Sequence, residues 1–289
     1  MNQNIRRWLA AGLAALVLGS GAATAAEPIR IGWTAWSDAE FVTKLAARLI
    51  EQRMDQEVEL LQIDIAPQYQ GVAQGDIDLM LMSWQPDTHE DYLDKMGRKV
   101  VNVSLLYTGA RLGWAVPTYV PESELGSIED LKDDEVSDRL DDMVVGIDPG
   151  AGLSRLSEKA LEGYGLDRYH LMLSSGAGMT AALDRAVRRK EWIVVTAWRP
   201  HWMFGAYDLR FLEDPKGTLG GLERVHAVSR RGFYKDHPEV TALIGRMFIP
   251  LDELEAAMNR ARETSYEEAV DHYIEGHAAR VDYWVTGDL

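Results

Sequence analysis

The sequence predicts an α/β fold of two lobes, each built on a mainly parallel sheet flanked by helices. Several buried, strand-like segments are each followed by turn residues and an amphipathic helix, which is the pattern of parallel sheets with helices on their faces. Two further segments, residues 109–120 and 225–229, have the pattern of strands that cross between lobes and return. We therefore assign residues 27–112 and 227–289 to lobe I and residues 113–226 to lobe II.

The first 26 residues have the composition of a secretory signal. They contain a basic pair at positions 6–7, an apolar stretch over residues 8–18, and small residues up to Ala26. The apolar stretch is too short for a membrane span. We therefore predict cleavage near Ala25 or Ala26, a periplasmic protein, and no direct insertion into a membrane.

The charge and the residue usage exclude several classes of partner and chemistry. Residues 1–26 hold two Arg and no acid, so the remaining chain has 28 basic and 46 acidic residues, a formal charge of −18. Such a negative surface repels a phosphate backbone, and we expect no nucleic-acid partner. The chain has no cysteine, which excludes disulfides, thiolate metal sites and a lipid-anchored cysteine. We expect a freely diffusing monomer without cofactor or metal.

Four segments are predicted as buried strands: residues 29–33, 77–84, 143–147 and 192–198. Helix starts follow the first two, because Ser37 and Glu40 have the spacing of a capping box and Asp87 is a candidate N-cap. A glycine-rich turn follows the third strand and leads into a helix over residues 153–164 that Gly165 can end. In open α/β sheets, ligands bind beyond the carboxyl ends of the strands, where these connections lie.

Tryptophans stand at the carboxyl ends of three of these strands: Trp36, Trp84 and Trp198. A quaternary ammonium has a diffuse positive charge and no hydrogen to donate, so aromatic faces bind it, each contributing about 0.5–2 kcal/mol when the cation is desolvated. One such tryptophan, taken alone, is more often a packing residue of the core. Three of them, each in a connection rich in turn residues, predict an aromatic cage.

The turn after the third strand supplies a candidate anion site. It places free backbone amides, above all those of Gly152 and Leu153, at the N-terminus of a helix, where the helix dipole favours negative charge. A glycine-rich turn is equally often only a tight turn. His89, at the start of the second helix, is a further candidate donor, although a histidine there is more often solvated. The cage and the anion site together predict a zwitterionic ligand such as a betaine.

Three motifs in combination resemble the glycine betaine-binding proteins of ABC osmoprotectant importers: Trp84-Gln-Pro-Asp-Thr-His89, Gly146-Ile-Asp-Pro-Gly-Ala-Gly-Leu153 and Trp198-Arg-Pro-His-Trp202. The likeness extends over nearly all of the chain after residue 26, although Trp33 stands where some relatives have Tyr. It implies a two-lobed periplasmic binding fold of type II that closes on its ligand and delivers it to permease subunits. The resemblance also implies a role for each candidate residue. Trp36, Trp84 and Trp198 would enclose the trimethylammonium group, and Gly152, Leu153 and His89 would hold the carboxylate.

Other ligands and functions stay open. Choline, carnitine and proline betaine also fit an aromatic cage, and the same fold can serve a ligand-sensing module. Choline has no carboxylate, so a working anion site would favour betaines by about 1.5–3 kcal/mol, the worth of one charge-assisted hydrogen bond. A secreted hydrolase would use Asp87, His89 and either Ser154 or Ser174, but the chain lacks a Gly-x-Ser-x-Gly elbow and a His-Glu-x-x-His helix. We therefore predict a binding protein and not an enzyme.

Overall fold

The computed structural model describes residues 27–289, so the predicted signal segment lies outside the described residues. The strands are β1 (Ile29–Trp33), β2 (Val58–Gln62), β3 (Leu79–Gln85), β4 (Val100–Pro117), β5 (Met143–Val145), β6 (His170–Met172), β7 (Val195–Arg199), β8 (Leu209–Phe211) and β9 (Leu222–Arg230). The helices are α1 (Ser37–Met54), α2 (Ile65–Gln74), α3 (Glu90–Met96), α4 (Asp134–Arg139), α5 (Gly152–Tyr164), α6 (Gly176–Arg189), α7 (Met203–Ala206), α8 (Phe233–Asp236), α9 (Pro238–Arg246), α10 (Leu251–Glu263), α11 (Tyr266–Gly276) and α12 (Ala278–Thr286).

The nine strands found within residues 27–289 belong to one hydrogen-bonded sheet in the order β2-β1-β3-β9-β4-β7-β5-β6, with β8 paired to β4. The outer pairs are parallel, since β1 pairs with β2 and β3, and β5 pairs with β6 and β7. The central pairs, β3 with β9 and β4 with β9 and β7, are antiparallel. The long strand β4 pairs with β9 over residues 100–111 and with β7 over residues 111–115, so it joins the two halves of the sheet. The predicted α/β class is confirmed.

Within residues 27–289, the buried apolar side chains form two clusters. The larger cluster packs α1 and the C-terminal helices against β1 and β3, with Phe41, Leu45 and Trp284 among its members. The smaller cluster consists only of residues between Trp114 and Leu219. The larger cluster also contains residues between Val145 and Met203, so it extends beyond the residues predicted for lobe I.

The predicted end of the helix after the third predicted strand is confirmed. Helix α5 ends at Tyr164, and Gly165 adopts the left-handed conformation at its C-cap (φ 67°). Pro238 is the first residue of α9, and the Ser265 side chain accepts a hydrogen bond from the amide of Glu268 at the start of α11. No helix within residues 27–289 combines the length and the apolar character that a membrane span requires.

Two predicted helix caps are wrong. Ser37 lies inside the first turn of α1, with Trp36 at the N-cap, and its hydroxyl is buried without a hydrogen-bond partner among the described residues. Glu40 instead pairs with Lys44, 2.7 Å away on the same helix. Asp87 does not cap α3, because His89 occupies the N-cap position. The carboxylate of Asp87 instead accepts a hydrogen bond from the amide of Gly221 at 3.3 Å. The last of the four predicted strands, residues 192–198, corresponds to β7, which begins later than predicted, at Val195.

Candidate functional site

One pocket collects all six residues that the sequence singled out as ligand-binding. Its lining consists of Trp36, Asp38, Trp84, Thr88, His89, Leu112, Ile147, Ala151, Gly152, Leu153 and Trp198. Residues at or just beyond the carboxyl ends of β1, β3, β5 and β7 contribute to it, as the general rule for α/β sheets expects.

The indole rings of the pocket are held in fixed orientations. The ring centroids of Trp36 and Trp198 lie 6.5 Å apart, with the ring planes at 61°. The indole N–H of Trp36 donates to a carboxylate oxygen of Asp148 at 2.9 Å, and that of Trp198 donates to Asp38 at 2.9 Å. Because both N–H groups have acceptors, the aromatic faces are the surfaces left to contact a ligand. Trp84, which is almost fully buried, supplies the third ring.

Asp38 is a pocket residue that the sequence analysis missed. Its carboxylate, which is 1% exposed, accepts from the Tyr107 hydroxyl at 2.6 Å and from Trp198. Burial raises the pKa of Asp38, and these two hydrogen bonds oppose the rise because they favour the charged form. The sequence signal was weak, since an acid in the first turn of a helix is common on electrostatic grounds alone. In the pocket, an ionised Asp38 adds negative charge beside the aromatic rings.

His89 presents one free hydrogen-bond donor. Its Nδ1 accepts from the backbone amide of Trp84 at 3.1 Å, so we assign the proton to Nε2. That nitrogen is buried and has no hydrogen-bond partner among residues 27–289. Burial lowers the pKa of His89 to about 3, and the charge of Arg155 acts in the same direction. The ring is therefore neutral at physiological pH and has an N–H available for an acceptor on a ligand.

The N-terminus of α5 supplies backbone donors to the same pocket. Gly152 and Leu153 are its first two residues, and the leading amides of an α-helix have no acceptor within the helix. A Cβ atom on Gly152 would lie only 2.2 Å from the carbonyl oxygen of Thr88, so glycine is required for the helix to approach this closely. The pocket thus combines aromatic rings with several N–H donors, which is complementary to a cation joined to an anion.

The residues of the hydrolase alternative do not form a catalytic arrangement. The Ser154 hydroxyl donates to the backbone carbonyl of Asp148 at 2.8 Å, and Asp87 accepts from Gly221. Neither of them forms a hydrogen bond with His89 in the part of the chain that the structure describes. Over the same residues, no group of three or more His, Asp or Glu side chains is arranged to hold a metal ion.

The fold and the pocket define a two-lobed substrate-binding protein. The chain belongs to the OpuAC family, described as the substrate binding domain of ABC-type glycine betaine transport systems, whose model matches residues 27–276.

Named relatives agree with this family. The glycine betaine/carnitine transport binding protein GbuC of Listeria monocytogenes is 31% identical over 198 residues, a match that covers 68% of this chain and 62% of that protein. Lactococcal OpuAC in its closed conformation with glycine betaine is 32% identical with a TM-score of 0.83, over 90% of this chain and 100% of the other. The glycine betaine/L-proline-binding protein ProX of Borrelia burgdorferi is 31% identical with a TM-score of 0.83, over 90% and 97%.

Proposed function

We propose that this protein captures glycine betaine in the periplasm and delivers it to the permease of an ABC importer. The observation that carries the proposal is the single pocket in which three tryptophan rings and a set of unpaired N–H donors meet. Membership of the OpuAC family and the ligand of the lactococcal relative support the same function.

The aromatic end of the pocket would bind the trimethylammonium group. Trp36, Trp84 and Trp198 offer three faces, and at about 0.5–2 kcal/mol for each ring the cage contributes roughly 1.5–6 kcal/mol. The methyl groups have no hydrogen-bonding capacity, so they lose little when water is removed around them. Asp38 would add attraction for the cation without contacting it through a hydrogen bond.

The donor end would hold the carboxylate. The amides of Gly152 and Leu153 and the Nε2–H of His89 are three donors for two oxygen atoms. Hydrogen bonds to a charged acceptor are worth about 1.5–3 kcal/mol each, so a ligand without the carboxylate loses much of this affinity. This preference is the reason for proposing a betaine over choline. Carnitine and proline betaine also have a carboxylate, and only the fit of their larger bodies distinguishes them.

Each end of the pocket would take residues from both lobes. We propose residues 27–112 and 227–289 for lobe I, with Trp36, Trp84 and His89, and residues 113–226 for lobe II, with Gly152, Leu153 and Trp198. The confinement of the smaller buried cluster to residues between Trp114 and Leu219 supports this division. Strand β9 already pairs with β3 at Arg224, so the return to lobe I lies within β9. A ligand that contacts both lobes stabilises the closed state.

The family and the sequence support proposals for the location and the partner of the protein. The signal-like residues 1–26 support export, and the family works with membrane permeases, so we propose a periplasmic monomer that docks on permease subunits. We also propose that the protein catalyses no reaction, because the reported relatives are named for binding and transport.

Calorimetric titration of the purified protein with glycine betaine, proline betaine, carnitine and choline tests the proposal. We expect glycine betaine to bind at least tenfold more tightly than choline, which corresponds to about 1.4 kcal/mol. Equal affinity for the two would contradict the assignment of the carboxylate site. No binding of any of the four would contradict the proposed function as a whole.

A further inference from the structure

The connection between β3 and α3 is one of the places where the two proposed lobes make direct polar contact, besides the hydrogen bonds of Trp36 with Asp148 and of Trp198 with Asp38. We refer to Asp87 and Thr88 as the corner. The backbone of the corner and the first turn of α3 belong to lobe I, whereas α5 and the turn before it belong to lobe II. The corner also lines the ligand pocket through Thr88, so anything that fixes its position acts on the site.

Arg155, on the first turn of α5, makes most of these contacts. One terminal nitrogen of its guanidinium donates to the carbonyl oxygens of Asp87 and Thr88, both at 3.2 Å. Its Nε lies 3.1 Å from a carboxylate oxygen of Asp91 on α3. The Tyr92 hydroxyl adds a parallel contact, donating to the carbonyl of Gly150 at 2.7 Å. Arg155 itself is absent from the pocket lining, so it does not contact a ligand there.

The corner also forms hydrogen bonds with β9 and with the loop that precedes it. Glu223, a buried residue of β9, accepts hydrogen bonds from both the amide (3.1 Å) and the hydroxyl of Thr88. The carboxylate of Asp87 accepts from the amide of Gly221 at 3.3 Å. With its amide and side chains engaged by β9 and the preceding loop, the corner keeps its carbonyl oxygens directed at α5. A rigid acceptor of this kind preserves the strength of a hydrogen bond, because little conformational freedom remains to be lost.

We propose that Arg155 is a positioning residue that latches the closed cleft. It would stabilise the closed state of the molecule through protein groups alone, by joining α5 of lobe II to the corner and to Asp91 of lobe I. The inference rests on the proposed function, since it describes how the cleft that takes the betaine is kept shut. Closure also brings Gly152 against the Thr88 carbonyl, so the latch fixes the distance between the backbone donors of α5 and the rings of lobe I.

The first test compares glycine betaine affinity in the wild type and in Arg155→Gln. We expect Kd to rise roughly tenfold, the effect of losing one or two hydrogen bonds to a charged group. Arg188→Gln is the matched control, because Arg188 pairs with Asp184 within a single exposed stretch of α6 and should leave Kd unchanged. Asp91→Asn removes one partner of Arg155 and should give a smaller rise in the same direction. Unchanged affinity in both Arg155→Gln and Asp91→Asn would overturn the latch.

The second test measures closure directly and separates a latch from a ligand contact. The chain has no cysteine, so Asp94→Cys on α3 and Glu162→Cys on α5, both exposed, give one spin label in each proposed lobe. Pulsed electron paramagnetic resonance at equal fractional saturation with glycine betaine should show a single short distance in the wild type. With Arg155→Gln we expect a broader distribution that includes longer distances. Weaker binding with an unchanged distance distribution would overturn the latch.

The two proposals fail in different ways. A wild-type protein that binds no betaine contradicts the proposed function. In that case the latch is tested by the distance distributions of the ligand-free wild type and the ligand-free Arg155→Gln variant, and equal distributions would overturn it. Binding by the wild type together with unaffected variants contradicts only the latch. Thermal unfolding of the ligand-free proteins verifies that the variants fold. If Arg155→Gln does not fold, the affinity of Asp91→Asn tests the latch.

Discussion

Replacing His89 by alanine removes a donor whose state the surrounding structure determines. The amide of Trp84 occupies Nδ1, so the proton lies on Nε2, the nitrogen without a partner among the described residues. Burial lowers the pKa of His89 to about 3, and the ring therefore stays neutral throughout the range from about pH 5 to 8. We predict that the His89→Ala variant binds glycine betaine more weakly, and that the loss is the same across this pH range.

The size of the loss follows from the bond that disappears. A hydrogen bond to a charged acceptor is worth about 1.5–3 kcal/mol, and about 1.4 kcal/mol corresponds to a factor of ten in Kd. The Kd for glycine betaine should therefore rise roughly 10- to 150-fold. Choline offers no carboxylate to Nε2, so its Kd should rise by no more than about threefold, the part that comes from loosened packing.

Isothermal titration of both ligands against the wild type, His89→Ala and the exposed-site control His272→Ala measures the difference. The ring of His89 also packs against Tyr69 and Tyr92, with centroids 5.6 and 6.0 Å apart, so thermal unfolding of the ligand-free variant is needed to report the loss of packing separately. Equal losses for glycine betaine and choline would refute the reasoning, because they would place His89 outside the carboxylate site.

Four other changes have defined outcomes. Trp84→Ala should weaken betaine binding at least tenfold in calorimetry, whereas Trp192→Ala, outside the pocket, should not; equal affinities would contradict the cage. Asp38→Asn should weaken binding of every quaternary ammonium, and an unchanged Kd would show that its charge does not act on the ligand. Gly152→Ala should raise Kd more than tenfold, since its Cβ meets a carbonyl at 2.2 Å across the cleft; wild-type affinity would mean that closure does not require this contact. Burial raises the pKa of Glu223 to about 7, so the wild type should lose on the order of 1–3 kcal/mol of stability between about pH 4.5 and 7, whereas Glu223→Gln should not. Urea unfolding of both proteins at pH 5 and 7.5 measures this loss. A difference in unfolding free energy between the two proteins that is the same at both pH values would contradict the prediction.

The sign of the Glu223 effect follows from which state binds the proton more tightly. An acid whose pKa is raised in the folded protein retains its proton there while the unfolded chain has already released it. The contribution of Glu223 to stability is therefore fully present below its ordinary pKa of 4.5 and decreases as the pH rises toward about 7. The hydrogen bonds from Thr88 oppose the shift, because they favour the ionised form. Buried His89 acts in the opposite direction below pH 6.5, which is why the comparison is made between variant and wild type.

The strand and helix pattern of the ligand site was readable from the sequence because it is local. A run of apolar residues that ends at a tryptophan and turn residues identifies the carboxyl end of a strand, and ligands bind beyond such ends in open α/β sheets. That reasoning predicted one site for Trp36, Trp84 and Trp198. The strands β3 and β7 run in opposite directions in the sheet, yet the structure brings these residues into one pocket. The same locality placed α5 and its Gly165 terminator correctly.

Contacts between distant parts of the chain were beyond this reasoning. Asp38 binds Tyr107 and Trp198, which lie 69 and 160 positions away, and Trp36 binds Asp148 across 112 positions. No periodicity or spacing encodes such pairs. The failed capping box has the same origin, since tertiary packing turned the Ser37 hydroxyl into the core although its spacing to Glu40 satisfied the local rule.

The distribution of charge around the pocket explains how a strongly acidic protein can select a ligand of no net charge. The formal charge of −18 on residues 27–289 favours cations over zwitterions at long range, but screening limits this field to about 10 Å at ordinary salt. Selection must then arise inside the cleft, where Asp38 and Asp148 accept the indole N–H groups beside the cage, and His89 and the start of α5 present donors close to Arg155. Two opposite local potentials in one small pocket match a dipolar molecule at both ends. A simple cation satisfies only the first of them and leaves the donors without an acceptor, which costs the desolvation of each unpaired N–H.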